Sequence, residues 1–298
     1  MNPFAAIDLA KLSPPEVVEA LDYEVVLAEM LADLRHRDMQ FTALVESDPA
    51  YKILEVAAYR ETLLRARIND ASQAVMLAYA QRSDLDHLAA LFGVDRHVID
   101  PGDPDAIPPR PARYEKDDDF RQRIPLSLEG FSTAGPIGAY QSHALDSSGQ
   151  VKDVSVGSPS PGQVMVTILS RERNGVANAE LLDIVRQHLN QEDIRPLTDH
   201  VMVQPAEIIN YTVDAMLTFH HGPDKSVVAQ QAREQANTHV EEHHRLGVDI
   251  TLSGLYAALH QPGVQNVTLR QPTGDIRVAL HQAAYCTELN VSEGGRDE

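Results

Sequence analysis

The sequence predicts an α+β protein in which an N-terminal helical region precedes two small α/β domains that echo one another. Three observations predict it. Apolar residues recur at helical spacing through roughly the first eighty positions, prolines and aspartates interrupt the chain around position 100, and β-branched runs alternate with helical segments beyond that break. A chain of 298 residues has room for about two domains of ~150 residues, and 43% hydrophobic residues supply a core. The expected division is a helical region at 1–100, a linker and helix start at 101–127, a middle α/β domain at 128–205 and a C-terminal α/β domain at 206–298.

Residues 15–46 and 50–80 read as two long helices. In the second, Ile53, Ala57, Leu64, Ile68, Ala71, Val75 and Ala78 form one apolar stripe, while Arg60, Arg65 and Arg67 lie largely off it. Such a face packs on other helices, within the chain or across an assembly interface; Ile53, Ala57, Leu64 and Ile68 are the candidate interface residues. A third helix spans 85–92: Ser83 is placed to cap it, Asp84 and Asp86 suit its first turn, and Gly93 closes it in the left-handed conformation.

Prolines from Asp100 to Pro111 oppose both helix and sheet, so a linker is expected there. The acidic run Glu115-Lys116-Asp117-Asp118-Asp119 lacks the spaced ligands and central glycine of a calcium loop and reads as a solvated helix start. Ser132 or Thr133 is placed to cap a helix over 136–144, with Pro136 in its first turn. Residues 151–156 and 163–170 flank the turn-forming Ser158-Pro159-Ser160-Pro161-Gly162 and predict a β-hairpin. A helix over 178–190 and a strand over 200–204 complete the middle domain, and a strand over 208–220 opens the last one. Ala144-Leu145 before Val151–Val156 is echoed by Ala258-Leu259 before Val264–Leu269, as helix, turn and strand.

Twenty-five basic against 44 acidic residues give a formal charge of −19, which opposes nucleic-acid binding. Cys286 is the single cysteine, so neither an intrachain disulfide nor a cysteine metal cluster can form. No run reaches the ~20 apolar residues of a membrane span, and the first twelve residues lack signal-peptide character, so the expected site of synthesis and residence is the cytosol.

Candidate chemistry is sparse. The glycines of 130–138 match neither a phosphate loop nor a serine-nucleophile elbow. His239-Val240-Glu241-Glu242-His243 fits H-x-x-E-H, in which His239 and His243 would hold zinc and Glu242 would act as general base. The competing reading is a helix end where cationic groups suit the dipole. A zinc hydrolase would also need a third ligand, for which His220 and His221 are the available candidates.

One resemblance covers nearly the whole chain. Tyr59-Arg60-Glu61, the run Arg65 to Ala71, Val75 to Ala80, Asp84 to Val94 and Leu128 to Pro136 closely resemble the baseplate J-like proteins of contractile-tailed phages, as does the opening around Ile7-Asp8-Leu9 and Leu21-Asp22-Tyr23-Glu24. The resemblance weakens after about Leu280 and gives the histidine pattern no role. It implies a structural wedge subunit of a contractile tail or headless tail-like particle, with no enzymatic activity and no cofactor or metal. The implied partners are a second copy, a second wedge protein in a six-fold ring around the spike and tube, and further baseplate, spike or sheath-initiating proteins. It further implies synthesis in the bacterial host cytoplasm, incorporation into the baseplate and a part in the rearrangement that triggers sheath contraction.

Overall fold

The computed structural model describes residues 12, 13, 15, 17–41, 44–131, 136–222 and 224–296. Its contacts divide the chain into two compact units, one of Met1–Arg96 with Lys116–Ile124 and one of His97–Glu115 with Pro125–Glu298.

The first unit is helical. Helix α1 (Tyr23–Arg37) begins where the Asp22 side chain accepts the Glu24 N–H, and it ends at Asp38, whose extended backbone and bond to the Gln40 N–H turn the chain aside. That local competition makes α1 shorter than the helix expected over 15–46. Helix α2 (Pro49–Ala74) starts with proline in its first turn and likewise stops short of the expected residue 80. Beyond it, Leu77 and Ala80 join a separate core. Helix α3 (Arg82–Ala90) is not capped by Ser83 as expected: Gln81 is the cap residue, and the Asp117 carboxylate accepts the Arg82 N–H at 2.9 Å. That contact also satisfies Arg82, which sits at φ +50, in the left-handed region. Gly93 adopts φ +69, as its capping role requires.

Two cores hold this unit. Val26, Leu27 and Leu31 of α1 bury against Ala58 of α2, with Tyr51 and Leu54 alongside. Leu85 and Ala89 of α3 bury against Phe120 and Ile124 of α4 (Asp117–Leu126). The Phe120 ring lies between two guanidinium groups, Arg96 at 4.6 Å and Arg123 at 5.6 Å from its centroid.

The acidic run leads into the first turn of α4 as expected, but it is solvated only in part. Glu115 is 3% exposed and pairs with Arg171 at 3.5 Å. Burial works against the Asp117 carboxylate, but the Arg82 N–H and the Arg96 guanidinium hold it below its ordinary value.

In the second unit, strands β1 (Val98–Asp100) and β2 (Arg113–Tyr114) pair antiparallel, and Asp103 and Arg110 exchange two backbone hydrogen bonds of 2.9 Å. The proline-rich stretch is therefore a paired hairpin. Gly102, at φ +71, is required in it, because a Cβ there would lie 2.4 Å from the Arg110 carbonyl oxygen.

The middle domain follows with α5 (Ile137–Asp146), β3 (Val151–Gly157), β4 (Gln163–Ser170), α6 (Ala179–Leu189) and β5 (His200–Pro205). Pro136 is the cap residue of α5; Ser132 and Thr133 lie outside the described residues. The expected hairpin forms, with Val156 opposite Val166, and β5 joins the other side of β4 in parallel. Asn178 caps α6 by accepting the Leu181 N–H at 2.8 Å. Val154, Val166, Ile168, Val185 and Leu189 lie in the core between sheet and helices.

The C-terminal domain comprises β6 (Glu207–Phe219), α7 (Lys225–Glu242), α8 (Leu252–Leu259), β7 (Val264–Gln271) and β8 (Gln282–Arg296). Its sheet runs β7-β6-β8, with β7 antiparallel and β8 parallel to the central strand. The middle sheet, β3-β4-β5, has the same pattern of antiparallel neighbour, centre and parallel neighbour. The echoed segments α5–β3 and α8–β7 occupy equivalent places, a helix followed by the antiparallel edge strand. The order of the chain differs: the pair precedes the central strand in the middle domain and follows it in the C-terminal one.

The two domains meet through Leu169, Ala206 and Ala283, with Ile208 and Leu246 packed against them. Asp153 of β3 accepts the Leu246 N–H at 2.9 Å, and the His244 ring, bonded to the Ala284 carbonyl at 2.7 Å, sits against Gly175.

Candidate assembly interface

Position along an α-helix decides what α2 offers. At about 100° per residue, Ile53, Ala57, Leu64 and Ile68 fall within an arc of roughly 60°, with Ala71 and Val75 continuing it. The α1-facing side is a different one, carrying Tyr51, Leu54 and the fully buried Ala58. Ile53 is 69% exposed, Leu64 65% and Ile68 60%, and Val56 and Val75 are exposed beside them, whereas Ala57 is half-buried. Within this chain the stripe is therefore not part of the core. Arg60 and Arg67 border it. Each large residue would contribute about 1.5–3 kcal/mol if fully buried, so several of them on one exposed helix face are costly to leave in water.

The other sequence-derived candidates have structural explanations. Asp86 pairs with Arg96 at 2.7 Å, and Asp118 pairs with Arg121 at the same distance. Cys286 is half-buried, donates to the Glu288 carbonyl, and has a thiol pushed up by burial.

The H-x-x-E-H segment ends α7. The His239 and His243 rings lie 3.9 Å apart, and His243 Nδ1 is bonded to the His239 carbonyl at 2.8 Å. The His239 ring packs on α8, where Gly254 leaves room: a Cβ there would lie 3.1 Å from Nε2. Burial, and then His243, push the His239 imidazole down to about 4. Glu242 is exposed. Among the described residues no three His, Cys, Asp or Glu side chains are grouped to hold a metal ion, so His220 and His221 do not complete the set. The zinc hydrolase alternative finds no support here: its first histidine is a packing residue. No helix of the described residues is long and apolar enough to cross a membrane.

Three family models match in succession: the baseplate J-like N-terminal domain over residues 46–103, the central domain over 132–205 and the C-terminal domain over 197–292. This chain belongs to the baseplate J-like family. Baseplate protein J of Escherichia phage P2 is 46% identical over 299 residues, covering 98% of this chain and 99% of that protein. Among solved structures, a chain of the anti-feeding prophage baseplate, a six-fold symmetrised cryo-EM structure, matches with 18% identity and a TM-score of 0.42. That match covers 64% of this chain, which spans 44% of the matched one. The J-like N-terminal match begins at residue 46, so α2 and its exposed stripe lie inside the family's own domain. The J-like C-terminal match extends to residue 292 and so includes most of β8, beyond Leu280 where the resemblance was expected to weaken.

Proposed function

We propose that this chain is a structural subunit of the baseplate of a contractile tail or tail-like particle, a wedge component that works by assembling. The observation that carries the proposal is near-complete alignment, at 46% identity, with the baseplate protein of phage P2. The exposed face of α2 supports it, because Ile53, Leu64 and Ile68 are apolar, share one side of the helix and are exposed. In this reading Ile53, Ala57, Leu64 and Ile68 meet a second copy of the chain or a second wedge protein. Further baseplate, spike or sheath-initiating proteins contact other surfaces, and the subunit takes part in the rearrangement that precedes sheath contraction. The working division is 1–100 for the helical wedge region, 101–127 for the connection, and 128–205 and 206–298 for the two α/β domains. The protein is made in the bacterial host cytoplasm, enters the baseplate and performs no catalysis.

Negative-stain electron microscopy of lysates from producing cells tests the assignment, comparing the intact gene, a deletion and a complemented deletion. Loss of sheathed tails on deletion and their return on complementation is the expected result. Normal contractile particles without the gene would overturn it.

A further inference from the structure

At about 100° per residue, Arg60 and Arg67 of α2 fall on one row of the helix, two turns apart. The row runs between two apolar strips, Ile53, Leu64 and Ile68 on one side and Val56, Tyr59 and Leu63 on the other, and all six of these side chains are exposed. Both arginines are exposed with them.

Other arginines of the helical unit are matched from within: Arg37 by Asp33, Arg65 by Glu61, and Arg96 by Asp86 and Asp117. Arg60 and Arg67 differ, since among the described residues neither makes an ion pair or a side-chain hydrogen bond. Of the carboxylates on α2, Glu55 pairs with Lys52, Glu61 pairs with Arg65, and Asp70 bonds neither arginine. In a chain with 44 acidic against 25 basic residues, two unmatched cations within an exposed apolar face run against the composition.

A guanidinium keeps its hydration only while the face stays open, and a purely apolar cover would strip that water without replacing it. A covering surface must therefore bring acceptors for both arginines. Carboxylates match the planar, two-pronged donor geometry of arginine, and a helix lying along α2 can present them at the same two-turn spacing with apolar residues on either side. Two copies of α2 cannot serve one another in this way. A two-fold contact between them would set arginine against arginine, a like-charge juxtaposition that opposes pairing.

We propose that this face of α2 receives an acidic amphipathic helix of a different subunit, whose carboxylates pair with Arg60 and Arg67 and whose apolar residues fill the strips beside them. The proposal rests on reading α2 as an assembly face; it adds the chemistry of the partner.

The test uses the full chain and two synthetic helical peptides with the same leucine stripe, one carrying glutamates two turns apart beside it and the other lysines in their place. Binding is read by fluorescence anisotropy. The formal charge of −19 favours the lysine peptide non-specifically, so a preference for glutamate must come from a local basic site. The expected result is that the glutamate peptide binds about tenfold more tightly, and that Arg60→Glu combined with Arg67→Glu inverts the order at an unchanged melting temperature. Leu64→Asp should weaken both peptides. Equal or tighter binding of the lysine peptide, or no binding of either, would overturn the proposal. So would dimerisation of the full chain in sedimentation experiments that the double substitution abolishes, because the face would then belong to a second copy. No readout involves particle assembly, so failure here leaves the result of the gene deletion untouched.

Discussion

The carboxylate of Asp153 accepts a hydrogen bond at 2.9 Å from the backbone N–H of Leu246, 93 residues further along the chain. This joins the middle domain to the C-terminal one at a point where the carboxyl group is enclosed. Replacing Asp153 with Ala leaves that N–H without its partner, which costs about 1–3 kcal/mol. Thermal unfolding of Asp153→Ala is expected to show that loss, and Asp153→Asn a smaller one, since its amide oxygen can still accept. An Asp153→Ala variant as stable as the parent would show that the bond contributes nothing to the junction.

The His239 imidazole titrates near 4 in the folded chain, through burial first and the neighbouring His243 second, against about 6.5 when unfolded. The unfolded state therefore binds the proton more readily. Stability from the neutral ring is complete above pH 6.5 and is lost as pH falls toward 4. Allowing for partial solvent screening, the loss is about 1–2 kcal/mol. Chemical denaturation at pH 7, 5.5 and 4 is expected to show it in the parent and not in His239→Leu, so that the stability difference between the two changes with pH. A constant difference would contradict the assignment.

Two faces of α2 are expected to answer differently. Ala58 is fully buried against α1, so Ala58→Leu overpacks that contact and costs about 1–3 kcal/mol. Leu64 is 65% exposed, so Leu64→Asp is expected to change the stability of the isolated chain by no more than about 0.5 kcal/mol. Co-purification of baseplate proteins should fall with Leu64→Asp all the same. A large drop in its melting temperature would instead place Leu64 in the core.

Phe120 is fully buried between Arg96 and Arg123 and in contact with α3. Truncation to Ala is expected to cost about 3–5 kcal/mol, combining the cavity with the lost cation–π contacts. Phe120→Leu should keep most of the packing and separate the two contributions, measured by denaturant titration.

Gly102→Ala is expected to open the proline-rich hairpin, because its Cβ would meet backbone at 2.4 Å. Hydrogen exchange at the Asp103 and Arg110 amides, each bonded across the hairpin, would report it.

Where a signal was local, the sequence carried the fold. The hairpin at 151–170, the helix near 178–190 and the left-handed Gly93 all follow from turn chemistry and local periodicity, and the structure places them as expected. The signals that failed were distant in sequence. Arg82 is satisfied by Asp117 from 35 residues away, so nothing near Ser83 reveals how α3 begins. Strand β8 carries Glu288, Ser292, Glu293, Gly294 and Gly295, a composition that hides a strand whose partner is β6. The hairpin of β1 and β2 was obscured because its prolines flank the few residues that pair. The α2 stripe was legible as an apolar face, but periodicity alone does not say whether such a face turns inward or outward. Its exposure came only with the packing of α1 on the other side.

The pairing of β6 with β8 also bears on how the protein is made. Contacts such as the Ser292 hydroxyl to the Ala215 carbonyl join residues 77 positions apart, and β6 draws its parallel partner only from residues 282–296. During translation the first unit and the middle domain can close as they emerge from the ribosome, whereas β6 must wait, one side unpaired, until its partner strand has been synthesised. A polypeptide that stopped before residue 282 would therefore leave that side of β6 as an open sheet edge, the kind of surface that invites pairing with another chain.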